Sequence, residues 1–373
     1  MPLRHAALIA LLCTAPVHAA GPSALPIDAV ADAYVHPHDR IEVESGRRMN
    51  LYCAGSGSPT VVFDSGLSDW SNTWALIQPA VATRTRACSY DRAGMGYSDP
   101  AKQPRTAFNI VGDLHTLLER AGIKGPLLLV GHSLGGFDMK LYAALHPEQV
   151  AGLVLVDPSE ERLWDRVGPI LSVQFGEKVV KDAAADDLSG FGELVTHLRE
   201  CSDTTRAGKL DDATYASCSD PVRAQLGPAI LAERRKLQVT AAYQDTQLRE
   251  AAASMFVPDT DADARYARLF GAAPHPFGDK PLIVLTHSIW EMSPPFGETG
   301  YASWVAAHRQ TAALSTRGTE RMVELSRHNI QVDHPQVVID AVAEVLDTIQ
   351  QDAGKRAQRV GTAHDATSTR AGN

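Results

Sequence analysis

Short apolar runs alternate with amphipathic stretches along most of this chain. Arg40 to Tyr52 alternates apolar and polar positions, which predicts two short strands with a turn at Gly46. Pro59 to Asp64 (PTVVFD) is an apolar run closed by Ser65-Gly66, and Thr85 to Tyr90 predicts a further short strand. Ala107 to Ala121 reads as a helix, with Ile110, Val111, Leu114, Leu117 and Leu118 at helical spacing. Pro126 to Val130 (PLLLV) is a fully apolar strand. Ser133 to Leu145 predicts a helix stopped before Pro147, and Val150 to Val156 a buried strand ending at Asp157. Strands apolar on both faces that alternate with helices imply a parallel sheet covered on both sides, an α/β architecture.

The pattern changes at Pro158. From there to about Asp279 the chain is helical, polar and amphipathic, with no buried strand. It resumes with Pro281 to Thr286 (PLIVLT), a helix around Trp304 to Ala313, a strand at Arg321 to Leu325 and a helix over Pro335 to Ile349. The polar, small residues after about Gln351 predict a disordered tail. The expected division is a leader at 1–20, a core in two parts at 21–157 and 280–351, a helical insertion at 158–279, and a tail at 352–373.

Composition narrows the class. With 44% hydrophobic and 21% charged residues, the 373-residue chain is ordinary for a globular protein. A formal net charge of -9 and the lack of a dense Lys/Arg run argue against nucleic acid as a partner. No apolar stretch is long enough to predict a membrane span. The sequence leaves the oligomeric state open.

The first residues read as an export signal. Arg4 precedes the apolar run Ala6 to Leu12, and Val17-His18-Ala19 offers a cleavage site near Ala19 or Ala20. Cleavage there would remove Cys13 and leave Cys53, Cys88, Cys201 and Cys218. An even number of cysteines in an oxidising compartment favours two disulfides, with three pairings open. Cys201–Cys218 would close a short local loop. Periplasmic or secreted localisation follows from the same reading.

The strongest chemical signal is Gly131-His132-Ser133-Leu134-Gly135, between the strand PLLLV and a helix. A serine in that context sits on a tight, strained turn with its hydroxyl exposed above the sheet, as a nucleophile requires. Its proton needs a base. His328, between the last strand and the last helix, is best placed; His334, directly before Pro335, is the rival. The base in turn needs a carboxylate to fix its tautomer. Asp157, at the end of its strand, is the first choice, and Glu291, after PLIVLT, the alternative. Backbone N–H groups of Leu134 and Leu67 are the candidate oxyanion donors. Trp70 and Trp74, close to Leu67, either line an acyl pocket or belong to the core.

Together these residues resemble the α/β-hydrolase superfamily, in its carboxylesterase-like branch. Tyr90-Asp91-Arg92-Ala93-Gly94-Met95-Gly96-Tyr97-Ser98-Asp99 looks like the turn after the fourth strand in that branch. The resemblance covers Ile41 to Asp157 and Pro281 to Ile349. It implies an α/β-hydrolase fold, a mostly parallel eight-stranded sheet with helices on both faces. It further implies that the strands carrying Cys53 and Cys88 are neighbours, and that 158–279 is a helical cap. Leu163, Val167, Ile170, Leu171, Val173 and Phe175 fit a lid over the pocket. Two features depart from the family pattern. Ser65-Gly66 replaces the usual His-Gly of the oxyanion loop, and no aspartate follows PLIVLT.

The implied activity is hydrolysis of a small carboxylic ester through an acyl-enzyme, with no metal and no organic cofactor. An amidase, an aminopeptidase or an acyltransferase would use the same triad. For an aminopeptidase, Asp182, Asp186 and Asp187 would hold the substrate's amine. A non-catalytic binding protein on this fold is the remaining alternative.

Overall fold

The computed structural model describes residues 22–219, 223–290 and 296–368. The leader, Cys13, Glu291 and the last residues of the tail lie outside them. Eight strands build one sheet: β1 (Asp39–Glu44), β2 (Arg47–Ala54), β3 (Thr60–Asp64), β4 (Ala87–Tyr90), β5 (Leu127–His132), β6 (Val150–Val156), β7 (Leu282–His287) and β8 (Gly318–Val323). Their order is β1-β2-β4-β3-β5-β6-β7-β8. β1 and β2 form an antiparallel hairpin, β2 runs antiparallel to β4, and all other pairs are parallel. Cys53 and Cys88 face each other in the β2–β4 register and are disulfide-bonded.

Thirteen α-helices are described. Around the sheet lie α1 (Ile27–Val30), α2 (Gln78–Ala82), α3 (Ala107–Arg120) and α4 (Leu134–Leu145). Between β6 and β7 come α5 (Leu163–Phe175), α6 (Glu177–Arg206), α7 (Asp212–Cys218), α8 (Gly227–Gln238), α9 (Ala241–Ala252) and α10 (Thr260–Phe270). The chain closes with α11 (Phe296–Ala312), α12 (Ile330–Asp333) and α13 (Pro335–Ser368). Successive strand residues point to opposite faces. Leu127, Leu129, Leu153 and Leu155 therefore pack with Leu114, Leu118 and Phe137 of α3 and α4. Their neighbours Leu128, Val130, Val154 and Val156 pack with Val338, Val342 and Leu346 of α13. Both faces are covered, which accounts for the unbroken apolar runs. Among the described residues no helix is long and apolar enough to cross a membrane.

The structure bears on three expectations. The segment after Gln351 continues α13 as helix to Ser368. An already nucleated helix extends easily through good helix formers such as Ala353, Lys355 and Arg356. Trp70 and Trp74 are core residues, fully buried. Trp74 packs on Phe63, and Trp70 lies under the Arg234 guanidinium, 4.4 Å from it. In α5, Leu163 and Trp164 line a small hollow. Val167 and Leu171 pack against Ala307 of α11, while Ile170 and Val173 are exposed.

Candidate active site

The turn between β5 and α4 holds Ser133 at φ 52° and ψ -120°, a backbone conformation L residues rarely adopt. The turn is tight because glycine permits it. A Cβ at Gly135 would lie 2.5 Å from the Ser65 carbonyl oxygen and 2.6 Å from that of Asp64. Leu134 is the first residue of α4, where a backbone N–H has no intrahelical acceptor.

His328 lies between β8 and α12. Its Nε2 is 2.9 Å from Ser133 Oγ, and its Nδ1 is 2.5 Å from Asp157 Oδ2. Asp157 stands directly after β6 at φ 47°. A carboxylate accepts, so Nδ1 of His328 carries the proton and Nε2 is left to accept from the Ser133 hydroxyl. Ser133, His328 and Asp157 are thus linked in series. His334 is elsewhere, with Nε2 3.1 Å from the Leu325 carbonyl.

Asp157 is unusually well served. Oδ2 also accepts from His287 Nδ1 at 2.6 Å. Oδ1 accepts from Trp304 Nε1 at 3.0 Å and from the His287 backbone N–H at 3.2 Å. Burial alone would raise its pKa, but the hydrogen bonds from His287 and His328 outweigh it and hold the carboxyl far below the ordinary range. Asp157 therefore stays ionised although fully buried.

His132 packs behind His328. Burial, and next the neighbouring His328, lower its pKa to about 3, so its ring is neutral. Its Nε2–H donates to the His328 carbonyl at 3.0 Å, since a carbonyl can only accept.

The profile of the family described as "alpha/beta hydrolase fold" matches residues 59–335. The chain belongs to that family. It is 36% identical over 105 residues to the uncharacterized protein YqjL of Bacillus subtilis (strain 168), covering 28% of this chain and 42% of that one. It is 34% identical over 123 residues to a 2-hydroxymuconate semialdehyde hydrolase of Pseudomonas sp. (strain CF600), covering 31% and 41%. The chain therefore spans less than half the length of these relatives. A thermophilic esterase from Thermogutta terrifontis superposes with a TM-score of 0.52 at 17% identity, over 84% of this chain and 99% of that one.

In this alpha/beta hydrolase, a cavity of about 470 Å³ opens over Ser133 and His328. Leu67 and Leu134 line it, as the oxyanion expectation requires. Its walls also include Asp187 and Phe191 of α6, Phe256 and Trp304. Sequence reasoning missed the aromatic walls, and it missed His287 and Trp304 as partners of Asp157. The signal available was weak: a histidine ending β7 and a tryptophan in the following helix.

Arg92, from the turn after β4, sets the shape of the loop that carries Leu67. It is fully buried. Nη1 donates to Asp64 Oδ1 at 2.9 Å and to the Ser65 carbonyl, and Nη2 donates to the Gly66 carbonyl at 2.7 Å. Nε and Nη2 also reach both carboxylate oxygens of Glu250 in α9, each at 2.9 Å. Arg92 thus joins the Leu67 loop to the inserted helices. Arg92→Met would leave two buried carboxylates and two carbonyls short of a partner. Removing one member of a buried ion pair costs about 3–5 kcal/mol, and that is the loss expected in urea unfolding. A loss below about 1 kcal/mol would mean that the network adds nothing to stability.

Proposed function

We propose that this protein is an exported serine hydrolase of carboxylic esters. Ser133 is the nucleophile, His328 the general base and Asp157 the acid that orients it. Ser133 Oγ attacks the ester carbonyl while His328 Nε2 takes its proton. The imidazolium so formed is stabilised by ionised Asp157 and returns the proton to the leaving alcohol. The Leu67 and Leu134 N–H groups bind the tetrahedral oxyanion. Water then repeats the sequence on the acyl-enzyme and releases the acid.

The observation that carries the reading is the unbroken series Ser133 Oγ, His328 Nε2, His328 Nδ1, Asp157 Oδ2, at 2.9 Å and 2.5 Å. Membership of a hydrolase family supports hydrolysis. The names of two similar proteins, one a hydrolase and one an esterase, point the same way. The disulfides Cys53–Cys88 and Cys201–Cys218, with the leader pattern, support export.

A fluorophosphonate probe followed by peptide mass mapping tests the nucleophile, and a p-nitrophenyl ester series from acetate to palmitate tests the substrate class. Labelling at Ser133 with turnover of the shorter esters is expected, since the cavity is of moderate size. An unlabelled Ser133 together with no turnover of any ester would overturn the reading.

A further inference from the structure

Beside the Ser133 cavity lies a smaller hollow of about 100 Å³. Trp164, Trp290, Trp304 and Phe256 line it, together with Asp186 and Asp187. No lysine or arginine is among its lining residues. The two spaces are neighbours, with Asp187, Phe256 and Trp304 in the walls of both. The rings of Trp290 and Trp304 are 6.2 Å apart and inclined at 50°.

An ordinary acyl or aryl pocket would need only the rings. The carboxylates are what such a pocket would exclude. Asp187 accepts a hydrogen bond from Trp164 Nε1 at 2.9 Å and has no cationic partner among the described residues. Asp187 is exposed to solvent, although protein crowds one side of its carboxyl. That desolvation raises its pKa despite the Trp164 bond. Indole faces attract cations, and a carboxylate beside them with no cationic partner adds to that attraction. Arg223, on the wall of the main cavity, does not supply it. Its Nη1 is 2.5 Å from Asp69 Oδ2 and 3.3 Å from Thr73 Oγ1.

We propose that the substrate carries an organic ammonium group, held between Asp187 and the indoles of Trp164 and Trp304 while its ester lies at Ser133. This rests on the hydrolase reading and adds the charge of the substrate to it. A quaternary ammonium would draw on the Asp187 charge and the rings together, without a hydrogen bond. A primary one would add a hydrogen bond to Asp187.

The test compares isosteric esters. Butyrylcholine is set against 3,3-dimethylbutyl butyrate, and 4-(aminomethyl)phenyl butyrate against 4-ethylphenyl butyrate. We expect kcat/KM to favour the cation by about 10-fold or more in at least one pair. In Asp187→Asn that ratio should fall towards unity. The pair with the larger ratio identifies the type of ammonium. Tryptophan fluorescence adds a readout independent of turnover: choline should perturb it at concentrations where 3,3-dimethylbutanol does not. Hydrolysis of the neutral esters with no preference for either cation, or a preference that survives Asp187→Asn, overturns the proposal and leaves the hydrolase reading intact. If no ester is cleaved and Ser133 is not labelled, the hydrolase reading fails, and the choline titration alone then decides for or against the ammonium subsite.

Discussion

Ser133→Ala is expected to lower kcat on p-nitrophenyl butyrate by about 10⁶-fold. Losses of that order accompany removal of a triad serine, because the remaining groups then have no nucleophile to act on. A residual rate of about 10³- to 10⁴-fold over water should persist, supplied by the oxyanion N–H groups and by binding. The fold should be indifferent to the change. Ser133 Oγ has two side-chain partners, His328 Nε2 at 2.9 Å and Ser159 Oγ at 3.4 Å, and it opens on the cavity. Thermal unfolding should therefore move by no more than about 1 °C, corresponding to a few tenths of a kcal/mol. Activity within tenfold of the wild type would remove Ser133 from the mechanism.

Asp157→Asn is expected to cost about 10⁴-fold in kcat, the loss that follows when the orienting carboxylate becomes an amide and the base is held in the wrong tautomer. Here the substitution meets a second difficulty. Each carboxylate oxygen of Asp157 accepts two hydrogen bonds, from four N–H donors in all. Whichever way the new amide turns, its NH₂ faces two of those donors. A stability loss of about 1–3 kcal/mol should accompany the kinetic one, because buried donors are left without acceptors. Glu291→Gln is the control and should keep kcat within a few-fold. A reversal, with Glu291→Gln losing the larger factor, would transfer the acid role to Glu291.

The core strands and helices were legible because their determinants are local. PLLLV, VAGLVLV and PLIVLT are too short and too apolar for amphipathic helices, and all three form central strands. GHSLG was legible because glycine on both sides of a serine, after a buried strand, has few other uses. The choice of Asp157 over other acids came from its position at a strand end, which puts it above the carboxyl edge of the sheet. His287 and Trp304 were not legible as its partners. Those contacts span 130 and 147 positions, and nothing in local periodicity reports a side-chain pairing of that length. Trp70 and Trp74 illustrate the same limit. Their place near Leu67 in sequence left pocket and core both open, and their burial is decided by Phe63 and by Arg234, which approaches from the inserted helices.

The Arg92–Glu250 pairing also bears on modularity. Glu250 is supplied by α9, yet it neutralises two arginines of the sheet domain, Arg92 and, at 3.2 Å, Arg105. Charge balance in the core is therefore written partly in the inserted sequence. Excising α5–α10 and closing the gap with a short linker would take one carboxylate from each guanidinium, leaving Arg92 with Asp64 and Arg105 with Asp113. Grafting a foreign lid onto this scaffold would do the same unless the graft brought its own acid to that point. The insertion and the Ser65–Leu67 loop are thus one inheritance unit: a swap that respects the helix boundaries but ignores this single carboxylate should give a less stable chimera than one that retains it.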